Sequence, residues 1–184
     1  MEKLFIISNE SIFENNRSFF CDNLDMKSTP EGLSQKYEIS IIARKSKKIR
    51  SHHLKINDIK IFSSIFTYLA KIFVSLKCKN AKYLVISISP YTFLAIIFLR
   101  IFGKKPIVYL RSDGHEEYKS IIGIIGKLIY HIMFSIVSRL SILVSCNSFI
   151  LKGKKGDIIA PSQLDEDWLK NTKQINFNKV KLLY

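Results

Sequence analysis

The densest chemistry in the sequence is the run Arg111-Ser112-Asp113-Gly114-His115-Glu116-Glu117, which gathers a guanidinium, an imidazole and three carboxylates within seven residues. Arg111 could grip a phosphate or a carboxylate through two parallel hydrogen bonds. Asp113 could accept a proton or hold a hydroxyl, and His115 could do either. A purely structural account of the same residues is also open. Asp113-Gly114 is a turn pair, and Glu116 and Glu117 suit the positive end of a following helix.

A second concentration of charge lies at Arg44–Lys55, where His52-His53 follows the basic tract Arg44-Lys45-Ser46-Lys47-Lys48-Ile49-Arg50. Adjacent histidines without a nearby carboxylate or cysteine make a poor metal site. The tract reads either as a solvated loop or as a contact for anionic lipid or a phosphate-bearing acceptor. Nucleic acid is the weaker partner, because no binding motif for RNA or DNA accompanies the charge. The net charge of +14 across 184 residues points the same way only in part, since Lys and Ile are both abundant and a coding bias produces the same excess.

Other chemistries are excluded by what the chain lacks. It has no Walker loop, no GxGxxG, no HExxH and no GxSxG. The segment after the first apolar run, Ser8-Asn9-Glu10-Ser11, contains no glycine, whereas a backbone cradle around a pyrophosphate needs residues without a Cβ. Cys21, Cys78 and Cys146 are far apart and odd in number, which suits a reducing cytoplasm rather than a disulfide framework or a zinc site.

These residues need elements to hold them. Leu4–Ser8, Tyr37–Ala43, Ile59–Phe62, Tyr83–Ser87, Pro106–Leu110, Ser141–Ser145 and Asp157–Ala160 are short apolar runs of the kind found in a parallel sheet. Between them the spacing predicts helices at 65–76, at 91–102 with Ser89-Pro90 as its start, and at 118–139. A helix is expected around Asn16–Leu24 in an otherwise irregular stretch over 9–36, and a short one at Asn147–Lys152. Pro161–Asp165 reads as a turn leading to a short helix with Trp168, then a polar linker at Asn171–Lys179 and a fresh strand at Val180–Tyr184. This alternation implies an α/β, Rossmann-like, doubly wound parallel sheet, with ligands beyond the carboxyl ends of the strands.

A membrane-spanning alternative meets a specific cost. Tyr83–Leu99 is uncharged, but Pro90 divides it into a strand-like and a helical half. Ile121–Val144 carries Lys127, His131 and Arg139, and each charge near a bilayer centre costs about 2.5–3.5 kcal/mol. Buried strands and helices explain both runs without it.

The segments Tyr83–Pro90 (YLVISISP), Pro106–Tyr118 (PIVYLRSDGHEEY), Ser141–Ser148 (SILVSCNS) and Asp157–Asp165 (DIIAPSQLD), with the ending KVKLLY, together resemble the N-terminal domain of GT-B retaining glycosyltransferases of the family-4 group. The resemblance departs from the family pattern in the glycine-free Ser8-Asn9-Glu10 and in Ser162-Gln163, where the family has Asn-Gly. It implies a transferase moving a sugar from a nucleotide-sugar to a glycan or lipid-linked acceptor, as in cell-surface polysaccharide synthesis. Asp113 and His115 would then be catalytic, while Arg111, Ser89, Asn147 and Ser148 would bind the acceptor. It further implies that residues 1–170 form the acceptor-side domain and 171–184 a linker and the first strand of a C-terminal domain. The nucleotide-sugar site would belong to that second domain, so this half binds no cofactor and no metal. The apolar stretch 118–139 and the basic tract would dock it peripherally on the inner face of the membrane. The competing readings are a non-catalytic α/β binding module and an integral membrane fragment.

Overall fold

The computed structural model describes residues 1–159, so the expected turn at 161–165, the helix around Trp168, the linker, the final strand and the boundary at 170 lie outside the described residues. Seven strands form a parallel sheet in the spatial order β5 (Asp58–Phe62), β3 (Tyr37–Lys45), β1 (Glu2–Asn15), β6 (Lys82–Ile86), β7 (Ile107–Leu110), β8 (Ile142–Ser145) and β9 (Asp157–Ile158). The chain starts at the centre, builds outward through β3 and β5, then returns to the other side of β1 with β6. The order therefore reverses between β1 and β6, and a crevice opens there at the carboxyl ends.

Both faces of the sheet are buried, and the alternation along β1 shows how. Phe5 and Ile7 enter one core with Val85, Val108, Leu110 and Leu143, while Leu4, Ile6 and Ile12 enter the other with Ile39, Ile41 and Ile86. The first core is covered by α2 (Ile65–Ser75), α3 (Pro90–Ile101) and α5 (Ile124–Leu140), through Tyr68, Ile72, Ile96, Leu99, Tyr130, Phe134 and Val137. The second is covered by α1 (Leu24–Leu33), through Met26. Ser64 and Ser89 open α2 and α3 as capping boxes with Thr67 and Thr92, the second at the expected start Ser89-Pro90.

Three expectations are corrected. Residues 16–23 are not helical. β1 bulges after Ile7, resumes pairing at Ser11, and runs on to Asn15. Asn16 and Arg17, with φ of 45° and 66°, then turn it into the antiparallel β2 (Ser18–Cys21). Two positive φ angles in a two-residue loop match the hand of a twisted hairpin, and Asn tolerates that region well. A short β4 (His52–Leu54) pairs with β2, so His52-His53 lies on a strand of this hairpin extension. The irregular stretch contains α1, with Asn23 as its N-cap and Pro30 inside it. Finally, the long helix at 118–139 is two helices, α4 (Gly114–Ile122) and α5, broken at Gly123 where φ is 72°.

The packing at that elbow is tight. A Cβ on Gly126 would collide with the Tyr118 backbone carbonyl, whereas one on Gly32 in α1 meets nothing within 4 Å. Gly126→Ala is expected to lower stability by about 1–3 kcal/mol through overpacking. Gly32→Ala is expected to raise it by about 0.5–1 kcal/mol through helix propensity. Paired thermal melts of the two variants check both signs.

Candidate functional site

The loop between β7 and α4 divides the chemically dense run between two sides of the carboxyl edge. Arg111 turns toward β1 and α1. Its Nη2 donates to Glu10 Oε1 at 3.2 Å, and its Nη1 donates to Asn23 Oδ1 at 2.9 Å and Asp25 Oδ2 at 3.1 Å. Asn23 Nδ2 also donates to Glu10 at 3.0 Å, while Asn23 Oδ1 caps α1 by accepting from the Asp25 amide. The guanidinium is thus committed to a largely enclosed ion cluster and forms a wall of the site.

That wall borders a cleft of about 340 Å³ at the reversal point, lined by Ser8, Asn9, Glu10, Ser87, Ser89, Arg111, Ser112 and Glu117 among others. Its lining is rich in hydroxyls, carboxylates and amide groups. Three details mark it as a built feature. Ser87, at the end of β6, holds a φ of 61°, a conformation that costs a residue with a side chain roughly 1–2 kcal/mol. Its carbonyl is fixed by the Thr92 hydroxyl at 2.9 Å and its amide by the Tyr109 carbonyl at 2.9 Å. Asn9 Oδ1 and Arg111 Nε are buried without a hydrogen-bond partner, so an acceptor and a donor stand unsatisfied in residues of this lining.

Asp113 and His115 lie on the other side of the loop. Asp113 caps α4, accepting from the His115 amide at 3.1 Å, and Lys152 donates to its other oxygen at 2.6 Å. Burial pushes its carboxyl up, but the Lys152 hydrogen bond and charge and the amides of His115 and Glu116 outweigh that and hold it below the ordinary 3.8. His115 is 7% exposed, edge-on to the rings of Tyr130 and Phe134, with Nε2 3.3 Å from His131 Nδ1. Burial, with the charges of His131, Lys152 and Lys127, holds its pKa below the ordinary 6.5 against the pull of Asp113. His115 borders a second recess of about 440 Å³ formed with Glu116, Lys127, His131, Phe134, Ser135, Lys152 and Lys154, whereas Asp113 lines neither cavity and touches the recess only through its ion pair with Lys152.

The expected site residues therefore separate. Ser89, as the N-cap of α3, and Arg111 share the reversal-point cleft. His115 belongs to the neighbouring recess, and Asp113 stands between the two, bound to Lys152. Asn147 caps the 3-10 turn Ser148–Leu151 by accepting from the Phe149 amide, and neither Asn147 nor Ser148 lines either cavity. Glu117, which the sequence offers only as a first-turn helix residue, is the carboxylate of α4 that borders the cleft. The same is true of Ser87, whose strained backbone no sequence pattern announces. The basic tract packs beside β2, with Arg50 bound to Asp22 and His52 and His53 paired to β2 through β4. Among the described residues no group of three His, Cys, Asp or Glu is placed to hold a metal ion.

No protein-family model, no curated protein and no solved structure matches this chain.

Two outcomes test this description. Arg111→Met leaves Glu10 and Asp25 facing each other without their cation. It is expected to cost roughly 2–4 kcal/mol in chemical denaturation, less than a fully buried pair because Glu10 keeps some water. His115 binds its proton less readily folded than unfolded, so its contribution is complete above about pH 6.5 and is lost as the pH falls through the lowered folded value. The melting temperature is expected to drop from pH 7.5 to 5.5, and His115→Phe to flatten that slope; Asp113 adds a similar loss only below about pH 3.8.

Proposed function

We propose that this chain is the acceptor-side domain of a GT-B-type sugar transferase, with the nucleotide-sugar donor held by a second domain. The observation that carries the reading is the hydroxyl- and carboxylate-lined cleft at the strand-order reversal. Open parallel sheets bind ligands at that position. Ser8-Asn9-Glu10 fills the place of a phosphate cradle with side chains, one of them anionic. The cleft is thereby poor for a pyrophosphate and suited to the neutral, hydroxyl-rich surface of a saccharide, whose groups both donate and accept.

In this reading Glu117 and Ser89 hydrogen-bond the acceptor. Fixing one acceptor hydroxyl in line with an incoming anomeric carbon is the main demand on such a domain. Asp113 and His115 act as positioning residues. Asp113 caps α4 and fixes Lys152, His115 anchors the same helix to α5, and Glu117 follows one turn later.

Titration of the labelled chain with short oligosaccharides and with nucleotide sugars, followed by NMR, tests the reading. Saccharides are expected to shift Ser8–Glu10, Ser87–Ser89 and Glu117, and Glu117→Gln to weaken them at least fivefold. Nucleotide sugars that shift Ser8–Glu10 while saccharides do not would overturn the assignment. Silence toward both classes would overturn it in favour of a non-catalytic binding module.

A further inference from the structure

The elbow between α4 and α5 exposes far more aliphatic surface than a water-facing segment has use for. Ile121, Ile122, Ile124, Ile125, Leu128 and Ile132 are all exposed, from 52% to 79%. At 100° per residue, 124, 125, 128 and 132 fall on one stripe of α5, opposite the core stripe of Gly126, Tyr130, Met133, Phe134 and Val137. The helix is thus apolar on two sides, and only one of them is used by the sheet. Among the described residues no helix is long and apolar enough to cross a membrane.

Lys127 and His131 lie one turn apart along one border of the exposed stripe. They open into the recess that also holds Lys152, Lys154 and Ser135. Lys119 and Lys127 both reach Glu116, at 3.7 and 3.1 Å, and Lys152 reaches Asp113. Those two carboxylates cannot neutralise four lysines, so the border of the stripe is cationic. A ring of cations beside an exposed aliphatic ridge is the complement of an anionic lipid surface, with acyl chains below and phosphates at the rim. A second copy of this chain would bring the same cations against each other.

The exposed aliphatic side chains lie on both sides of the turn at Gly123, from Ile121 and Ile122 at the end of α4 to Ile124 and Ile125 at the start of α5, so the elbow presents one continuous apolar face.

We propose that the α4–α5 elbow docks on an anionic phospholipid leaflet, its isoleucines entering the acyl boundary and the His131–Lys127–Lys152–Lys154 recess receiving a headgroup phosphate. The proposal stands independently of the transferase reading. Flotation with phosphatidylcholine vesicles, and with vesicles containing about 30% phosphatidylglycerol, tests it on the whole chain. Binding is expected to be at least tenfold stronger to the anionic vesicles. The Ile124→Ser, Ile125→Ser, Leu128→Ser triple variant is expected to abolish it, and Lys127→Gln with Lys154→Gln to bring it to the neutral-vesicle level. All these side chains are exposed or at the surface, so circular dichroism should confirm an unchanged fold. No flotation with anionic vesicles, or flotation unaffected by the triple variant, overturns the proposal. A concentration-dependent dimer that the triple variant dissolves, without flotation, assigns the elbow to a second copy. Shifts of His131 and Lys154 produced by inorganic phosphate, without flotation, assign the recess to a soluble anion; both outcomes also overturn the proposal.

Discussion

Arg111 ties together three parts of the carboxyl edge that the chain visits at very different times. Glu10 comes from the bulge in β1, Asn23 and Asp25 from the start of α1, and the guanidinium from the end of β7. Asn23 serves two partners at once, since its side-chain oxygen caps α1 and accepts from Arg111 while its nitrogen donates to Glu10. The Cys146 thiol donates to the Arg111 carbonyl at 3.3 Å, which brings in the loop after β8. With its hydrogen bonds largely satisfied, the cation tolerates partial burial. Removing any one partner would strand the others, which is the reason such clusters fix geometry more than they add stability.

The cleft beside it depends on that fixation. An open parallel sheet leaves a gap where strand order reverses, because the loops from β1 and β6 lead to opposite faces. Here the β1 side of the gap is a strand that bulges and continues, rather than a loop that turns into a helix. The bulge re-aims Ser8, Asn9 and Glu10. On the β6 side, Ser87 is held at positive φ by Thr92 and Tyr109, so its neighbours Ile88 and Ser89 reach α3 directly. Strain on one side and a bulge on the other are both local irregularities. Both are tolerated because two buried cores hold the sheet on either face.

The regular part of the architecture was legible because its cause is local. Strand runs buried on both faces are continuously apolar, so Phe5-Ile6-Ile7, Ile39–Ala43 and Ile107–Leu110 announced themselves. Ser89, before Pro90, announced the helix that it caps. The hairpin did not, because Ile12, Phe13, Phe19 and Phe20 are split by the polar run Glu14–Ser18 into pieces too short to read alone, and β2 finds its second partner in β4, thirty residues away. Gly123 broke a run that periodicity alone extends, since Ile121–Ile132 keeps an apolar stripe across the break. For the site, sequence proximity was misleading in a specific way. Residues 111–117 are neighbours in the chain, but the start of a helix sends successive side chains about 100° apart. Arg111 and Glu117 therefore face the cleft while His115 faces α5, and charge density along the chain could not tell them apart.

That division gives the two cavities different chemical characters. The cleft opposes its one cation, Arg111, with Glu10 and Glu117 and has no other basic group in its lining. The recess has three lysines and two histidines against Glu116. A single anionic ligand would be drawn to the recess and turned away from the cleft, and a neutral polyol would find most of its hydrogen-bonding partners in the cleft. The Asp113–Lys152 pair lies on the border. It takes a carboxylate out of reach of the cleft and tempers a lysine of the recess, so a single contact sharpens the difference between the two. Helix α4 joins them mechanically as well, with Glu117 toward one cavity and Glu116 toward the other.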